Sequence, residues 1–151
     1  MNRPIRFLWI DDNLEQDLRE KKMSLYMEDD IEPHFAGDAS EAIYRLRDEP
    51  FDVIVFDIRL PAGNDEMWAD LRNEGFQEYG IELIKRVREG INGDFSKQNG
   101  ARMGIFSIES LGNEHAVYQP PIAMSKSNVM KKIDAYYEED FINFIRELAK
   151  Q

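Results

Sequence analysis

The feature that most constrains this chain is an apolar run, residues 51–58, that carries Asp57 near its end and is stopped soon afterwards by Pro61. An earlier apolar run, residues 5–10, ends in the same way at the pair Asp11–Asp12. In an open parallel sheet the carboxyl ends of the strands line the ligand crevice. If the two runs lie side by side, three carboxylates share one small volume. This pattern predicts a site for a hard cation.

Length and charge limit the classes of protein that fit. A chain of 151 residues accommodates one ordinary domain. With 19 basic and 30 acidic residues its net charge is −11, which disfavours nucleic acid and anionic membranes as partners. The absence of cysteine excludes disulfides and thiolate metal sites. There is neither a signal-peptide pattern nor an apolar stretch long enough to span a bilayer, so we expect a cytoplasmic protein.

Strand-like and helical patterns alternate along the chain. Besides the two apolar runs, strands are predicted at residues 31–36, 103–107 and 121–125, the first at a sheet edge because it contains Pro33. Helices are predicted at about residues 13–27, 39–48, 65–74, 80–88 and 127–150. The alternation predicts an α/β fold in one domain, residues 1–151, with a doubly wound, five-stranded parallel sheet.

Five polar residues fall at the predicted strand ends: Asp11, Asp12, Asp57, Ser107 and Lys126. Two carboxylates about 5 Å apart repel by roughly 3 kcal/mol at an effective dielectric near 20, so three together need a counter-charge. Lys126 and a divalent ion would supply it. Because Mg²⁺ prefers oxygen ligands and keeps several waters, such a site leaves room for a phosphoryl oxygen. The arrangement suits phosphoryl transfer to Asp57.

These motifs resemble the CheY-like receiver domain of two-component response regulators over nearly the whole chain. The resemblance rests on five features in the family's order: an acidic pair after strand one, an aspartate followed by x-x-Leu-Pro after strand three, a helix opening Gly-x-Glu-Leu-Ile-Lys, a hydroxyl after strand four and a lysine after strand five. It implies a flavodoxin-like fold in which Asp57 is the phosphoacceptor, Ser107 the switch hydroxyl and Lys126 the phosphoryl-binding lysine. The Mg²⁺ ligands that it implies are Asp11, Asp12, Asp57 and the backbone carbonyl of Arg59.

The sequence also departs from the family pattern. The family usually has a proline after the lysine and an aromatic residue three positions before it, where this chain has Ser127 and Ala123. Residues 111–119 are poorly patterned for the family's fourth helix, and residues 61–79 form an insertion after strand three. The apolar residues of this insertion are Met67, Trp68, Leu71 and Phe76. They fit either a local packing face or, as a hypothesis, a partner-specificity element.

The resemblance implies a stand-alone receiver domain that accepts a phosphoryl group from a histidine kinase or phosphotransfer protein. Such a domain signals through contacts with a downstream protein and catalyses at most its own phosphorylation and dephosphorylation. We expect a monomer or weak dimer. One alternative is a pseudo-receiver, a binding module that phosphorylation does not control. A weaker alternative is a small Mg²⁺-dependent phosphohydrolase with Asp57 as nucleophile, because Arg59 stands where the haloacid-dehalogenase-like pattern has an aspartate.

Overall fold

A computed structural model describes residues 3–75 and 78–151 and shows a five-stranded, all-parallel sheet in the order β2-β1-β3-β4-β5. The strands are β1 Ile5–Ile10, β2 Ile31–Ala36, β3 Val53–Phe56, β4 Arg102–Ser107 and β5 Val129–Lys131. The helices are α1 Arg19–Leu25, α2 Ala39–Asp48, α3 Ala69–Asn73, α4 Tyr79–Glu89 and α5 Glu138–Ala149. The predicted flavodoxin-like, doubly wound sheet is confirmed. No helix among the described residues is long and apolar enough to cross a membrane.

Helices cover both faces of the sheet, with α2 and α4 on one side and α1 and α5 on the other. In β1, Leu8 and Ile10 belong to the first core, whereas Phe7 and Trp9 belong to the second. All four side chains are fully buried. A strand covered on both faces needs apolar residues at every position, which explains why the run shows no alternation.

The start of α2 follows the predicted capping pattern. Asp38 Oδ1 accepts a hydrogen bond from the Glu41 amide at 2.7 Å, and Glu41 Oε2 accepts one from the Gly37 amide at 2.9 Å. The first bond satisfies an amide that the first turn of a helix leaves without a partner, and the second holds the residue that precedes the N-cap. The boundaries predicted for α2 are confirmed. By contrast, α1 is shorter than the predicted 13–27, because residues 12–18 form turns instead.

The strand predicted at residues 121–125 is wrong, because β5 lies at Val129–Lys131. Ile122 and Met124 are buried on either side of an exposed residue, which imitates the alternation of a strand. That residue, Ala123, has a φ of 46°, a left-handed conformation that a strand does not contain. Its amide bonds locally to the carbonyl of Gln119 at 2.8 Å instead of joining the sheet.

The helix predicted at residues 127–150 is too long, since α5 begins only at Glu138. Residues 126–134 instead form two 3₁₀ turns with β5 between them. Within the described residues, the connection between β4 and β5 contains the single 3₁₀ turn Ala116–Tyr118 before the turn at Lys126–Asn128, and no α-helix. The weak pattern noted at residues 111–119 therefore corresponds to a segment without the family's fourth helix.

The insertion packs against its own domain. Trp68 is fully buried, stands edge-on to the Tyr79 ring with centroids 5.5 Å apart, and has the Arg86 guanidinium 5.0 Å from its ring centroid. Met67 and Leu71 are partly buried against the same core. Phe76 lies outside the described residues. The interpretation of the stripe as a packing face is confirmed, and the idea that Trp68 offers apolar surface to a partner is wrong.

Candidate functional site

The three aspartates meet at the carboxyl edge of the sheet, as predicted. Asp11 directly follows β1 and Asp57 directly follows β3, and these two strands are neighbours. The Asp57 amide donates to the carbonyl of Ile10 at 2.9 Å, which holds the two strand ends together. Carboxylate oxygens of Asp11, Asp12 and Asp57 lie within 4.8 Å of one another. Asp11 and Asp57 are buried, whereas Asp12 is exposed at the mouth.

The structure places Lys132, not Lys126, beside the acidic cluster. Lys132 follows β5 directly, and its Nζ lies 2.8 Å from Asp11 Oδ2 and 3.7 Å from Asp57 Oδ1. Lys126 instead donates to Asn113 Oδ1 at 2.5 Å, and its Nζ lies 6.0 Å from the centroid of the Tyr118 ring. The assignment of Lys126 depended on the misplaced fifth strand. The lysine that follows the true strand was missed because its only signal is the short apolar pair Val-Met ahead of Lys-Lys.

Burial and mutual repulsion control the charges of these groups. Burial, followed by the negative charge of Asp11, raises the pKa of Asp57 to about 7, and the positive charge of Lys132 opposes that rise. Burial also raises the pKa of Asp11, with Lys132 and a 2.9 Å hydrogen bond from the Asn13 amide opposing it. The Lys132 ammonium forms a close ion pair with Asp11 Oδ2. Without a further cation, the cluster favours taking up a proton.

The donor set fits a divalent cation. When ionised, the three carboxylates carry two more negative charges than Lys132 neutralises. Oxygen donors of this kind suit Mg²⁺ or Ca²⁺. Asp57, Asp12 and Lys132 line one cavity of about 390 Å³, which gives the cluster space for a ligand.

Arg59 and Ser107 also lie at this edge of the sheet. Arg59 lines the same cavity, and its guanidinium pairs with the Glu109 carboxylate, which links the segments that follow β3 and β4. Ser107 is the buried last residue of β4, and its Oγ accepts a hydrogen bond from the Glu109 amide at 3.1 Å. The roles of the Arg59 carbonyl and of the Ser107 hydroxyl remain predictions.

Gly80, the first residue of the Gly-x-Glu-Leu-Ile-Lys motif, positions Asp57, and the motif alone did not indicate this role. A Cβ at this position would lie 1.8 Å from the backbone oxygen of Asp57, closer than any two such atoms can approach. The Gly80 amide also donates to the carbonyl of Ile58 at 3.0 Å. The first turn of α4 therefore packs directly on the backbone that presents Asp57, which requires a residue without a side chain.

No family model matches this chain, and no curated protein matches it either. Solved structures do match. A CheY-like response regulator receiver domain protein from Methanospirillum hungatei has a TM-score of 0.66 at 20% identity, covering 97% of this chain and 94% of that one. The receiver domain of the Francisella response regulator 1452 has a TM-score of 0.61 at 21% identity, with 97% of each chain covered.

A third match is a response regulator from Burkholderia pseudomallei, described as having a phosphorylated aspartic acid, a calcium ion and citrate. Its TM-score is 0.59 at 18% identity, covering 97% of this chain and 69% of that one. At such identities the likeness concerns the fold. The strand order, the helices on both faces and these matches lead to one conclusion: the chain has the fold of CheY-like response regulator receiver domains.

Proposed function

We propose that Asp57 accepts a phosphoryl group from a phosphohistidine of a histidine kinase or phosphotransfer protein, in a Mg²⁺-dependent reaction in the cytoplasm. The phosphorylated domain then signals through contacts with another protein. The observation that carries this proposal is the burial of Asp57 between Asp11 and the Lys132 ammonium at the carboxyl edge of the sheet. A protein of the same fold is described with a phosphorylated aspartate and a divalent ion, which supports the assignment.

In the proposed transfer a carboxylate oxygen of Asp57 forms a bond to phosphorus while the P–N bond to the donor imidazole breaks. The imidazole nitrogen leaves with the electron pair and takes up a proton. Asp57 has to be ionised to attack, and Lys132 favours the ionised form by lowering the pKa that burial raises. Mg²⁺, when bound by Asp11, Asp12 and Asp57, would supply positive charge for the phosphoryl oxygens.

The phosphoryl group would change the balance of charges at the site. It replaces a single carboxylate charge with roughly −1.5 to −2 and adds three acceptor oxygens. Lys132 is the cation beside this position, 3.7 Å from Asp57 Oδ1. The Ser107 hydroxyl uses its oxygen to accept from Glu109, so its proton is available to a new acceptor. We propose that these two residues follow the phosphoryl oxygens and thereby transmit the signal.

The proposal is tested by intact-mass analysis after incubation with acetyl phosphate and Mg²⁺. The wild type should gain the mass of one phosphoryl group and the Asp57→Asn variant none. Asp52→Asn is the matched control, since Asp52 lies just before the amino end of β3, away from the cluster, and it should label. Equal labelling of Asp57→Asn and wild type would overturn the assignment.

A phosphorylation-independent binding module of the same fold is a second candidate, and one observation favours it. Counted from Lys132, the position three residues earlier holds Val129 and the following position holds Ile133. The family usually has an aromatic residue and a proline there. The ordinary switch residues are therefore missing whether the positions are counted from Lys126 or from Lys132. Beryllofluoride, a phosphoryl mimic, separates the two candidates. Amide NMR shifts that spread from Asp57 into β4 and β5 support the first, and their absence supports the second.

A further inference from the structure

A second cavity opens beside the acidic site and owes one wall to the insertion. Its volume is about 580 Å³, and its walls are residues 60–63 together with Arg59, Arg72, Tyr79 and Asp12. Asp12 and Arg59 also line the cavity that contains Asp57. A ligand that fills both spaces would therefore present one end to Asp57 and the other to Arg72.

Arg72 is exposed and supplies a positive charge to this cavity, at whose other side Asp12 contributes a negative one. Its Nη1 donates to the carbonyls of Gly63 at 2.6 Å and Asp65 at 3.2 Å, which fixes the guanidinium against the wall. Within residues 3–75 and 78–151 it forms no ion pair, and its Nε and Nη2 have no hydrogen-bond partner. A guanidinium held in this way can offer two parallel donors to a carboxylate. Arg59, by contrast, is already paired with Glu109.

The wall that carries these carbonyls is itself anchored. The Ser40 amide and Oγ both donate to the carbonyl of Ala62, at 2.9 and 2.6 Å, and Ser40 Oγ accepts from the Asp65 amide at 2.8 Å. These bonds tie the start of the insertion to the first turn of α2. The guanidinium is therefore held before a ligand arrives, which reduces the entropy lost on binding.

We propose that this cavity binds a carboxylate of the phosphodonor, paired with Arg72, while the phosphoryl group enters the adjoining site at Asp57. This inference rests on the proposed function and adds a specificity determinant to it. Two kinds of donor would present a carboxylate beside the transferable phosphoryl group: a small acyl phosphate, and a phosphohistidine with an acidic side chain next to it. In both cases the bond from phosphorus to the donor breaks, the leaving group keeps the electron pair, and Asp57 forms the new P–O bond.

The first experiment compares matched small donors in the presence of Mg²⁺. Meta- and para-carboxybenzoyl phosphates carry the extra carboxylate, and the corresponding carbamoylbenzoyl phosphates have the same shape without the charge. The measurement is the rate of labelling at subsaturating donor, expressed as the ratio of carboxyl to carbamoyl donor. Comparing this ratio between protein variants cancels the intrinsic reactivity of the donors.

The variants are Arg72→Gln, whose amide can still donate to the wall carbonyls, and Arg19→Gln, which makes the same charge change on α1. Loss of a charge-assisted pair should lower the ratio by about tenfold in Arg72→Gln. The ratio should be unchanged in Arg19→Gln. A second comparison, between imidazole-phosphorylated Glu-His-Ala and Gln-His-Ala peptides, identifies the source. A preference that depends on Arg72 in the peptides indicates a protein donor, and one seen only with the benzoyl donors indicates a small molecule.

An unchanged ratio in Arg72→Gln, with the benzoyl donors and with the peptides alike, overturns the inference. A fall of equal size in Arg19→Gln also overturns it, because the effect would then come from overall charge. Failure of the proposed function looks different. In that case the wild type takes up no phosphoryl group from any donor, acetyl phosphate included.

Discussion

Replacing Asp57 with asparagine tests the electrostatics of the acidic cluster, because the change removes a buried charge and keeps the shape of the side chain. Burial, with the charge of Asp11 as the second cause, raises the pKa of Asp57 from 3.8 to about 7. One pKa unit corresponds to about 1.4 kcal/mol. The ionised carboxylate therefore destabilises the metal-free fold by on the order of 4 kcal/mol.

That figure already contains the attraction of Lys132, which opposes the rise in pKa. The asparagine amide is still a polar group that has to be buried, so we expect the variant to be more stable than wild type by about 2 to 3 kcal/mol above neutral pH without metal. The pKa of Asp57 is higher in the folded than in the unfolded chain, so its protonation favours folding. Its stabilising contribution is complete below about pH 4 and is lost as the pH rises through 7. The advantage of the variant should thus be largest at about pH 8 and small at about pH 4.

Urea unfolding with EDTA at these two pH values measures the effect. Asp52→Asn is the control, because the same substitution at that position should change the free energy of unfolding in the opposite direction. Although burial opposes it, hydrogen bonds from Arg3 and from the Arg6 amide lower the pKa of Asp52, so its loss should destabilise the fold. An Asp57→Asn variant that is no more stable than wild type at about pH 8 would refute the reasoning.

Three further predictions concern residues around the site. Lys132→Met should raise the pH at which Asp57 labels with acetyl phosphate, because it removes the ammonium 3.7 Å from the Asp57 carboxylate. Lys126→Met should label as wild type does; equal pH profiles for both variants would contradict the assignment of this role to Lys132. Gly80→Ala should destabilise the fold by on the order of 3 kcal/mol in urea unfolding and slow labelling, since the new Cβ has to displace the Asp57 backbone. Trp68→Ala should lower the free energy of unfolding by about 3 to 5 kcal/mol in the same assay, as for other buried aromatic residues. A decrease below about 1 kcal/mol would show that the insertion is not part of the core.

Much of the fold follows from burial that the sequence makes visible. Strands β1, β3 and β4 are covered by helices on both faces, so each appears as a continuous apolar run. Asp11 and Asp57 each follow such a run directly, and the geometry of parallel strands then predicts that they meet. These parts of the site depend on local patterns and on one general rule of sheet architecture.

The fifth strand could not be located in this way. It has three residues, lies at the sheet edge and is only partly buried, so its apolar signal is weak. Ile122 and Met124 are more deeply buried, although they belong to an irregular segment. The phosphoryl-binding lysine was predicted as the lysine that follows the fifth strand. Because that strand was placed too early, the prediction named Lys126 instead of Lys132.

The insertion was ambiguous for a different reason. The stripe around Trp68 has the same spacing whether it packs on its own domain or on a partner. Trp68 contacts Tyr79 and Arg86, at the start and in the second half of α4. Only the tertiary structure therefore shows that the stripe packs on its own domain. The role of Gly80 is likewise visible only in the tertiary structure, because it depends on the close approach of the Asp57 carbonyl.

The central claim is that Asp57 carries the phosphoryl group, and chemical mapping of the labelled protein tests it most directly. After incubation with acetyl phosphate and Mg²⁺, borohydride reduces an acyl phosphate and converts the aspartate that carried it into homoserine, which peptide mass spectrometry locates. The account predicts homoserine at position 57 and unmodified aspartate at positions 11 and 12, with no conversion when EDTA replaces Mg²⁺. Homoserine at position 11 or 12, or conversion that does not depend on the metal, would contradict it.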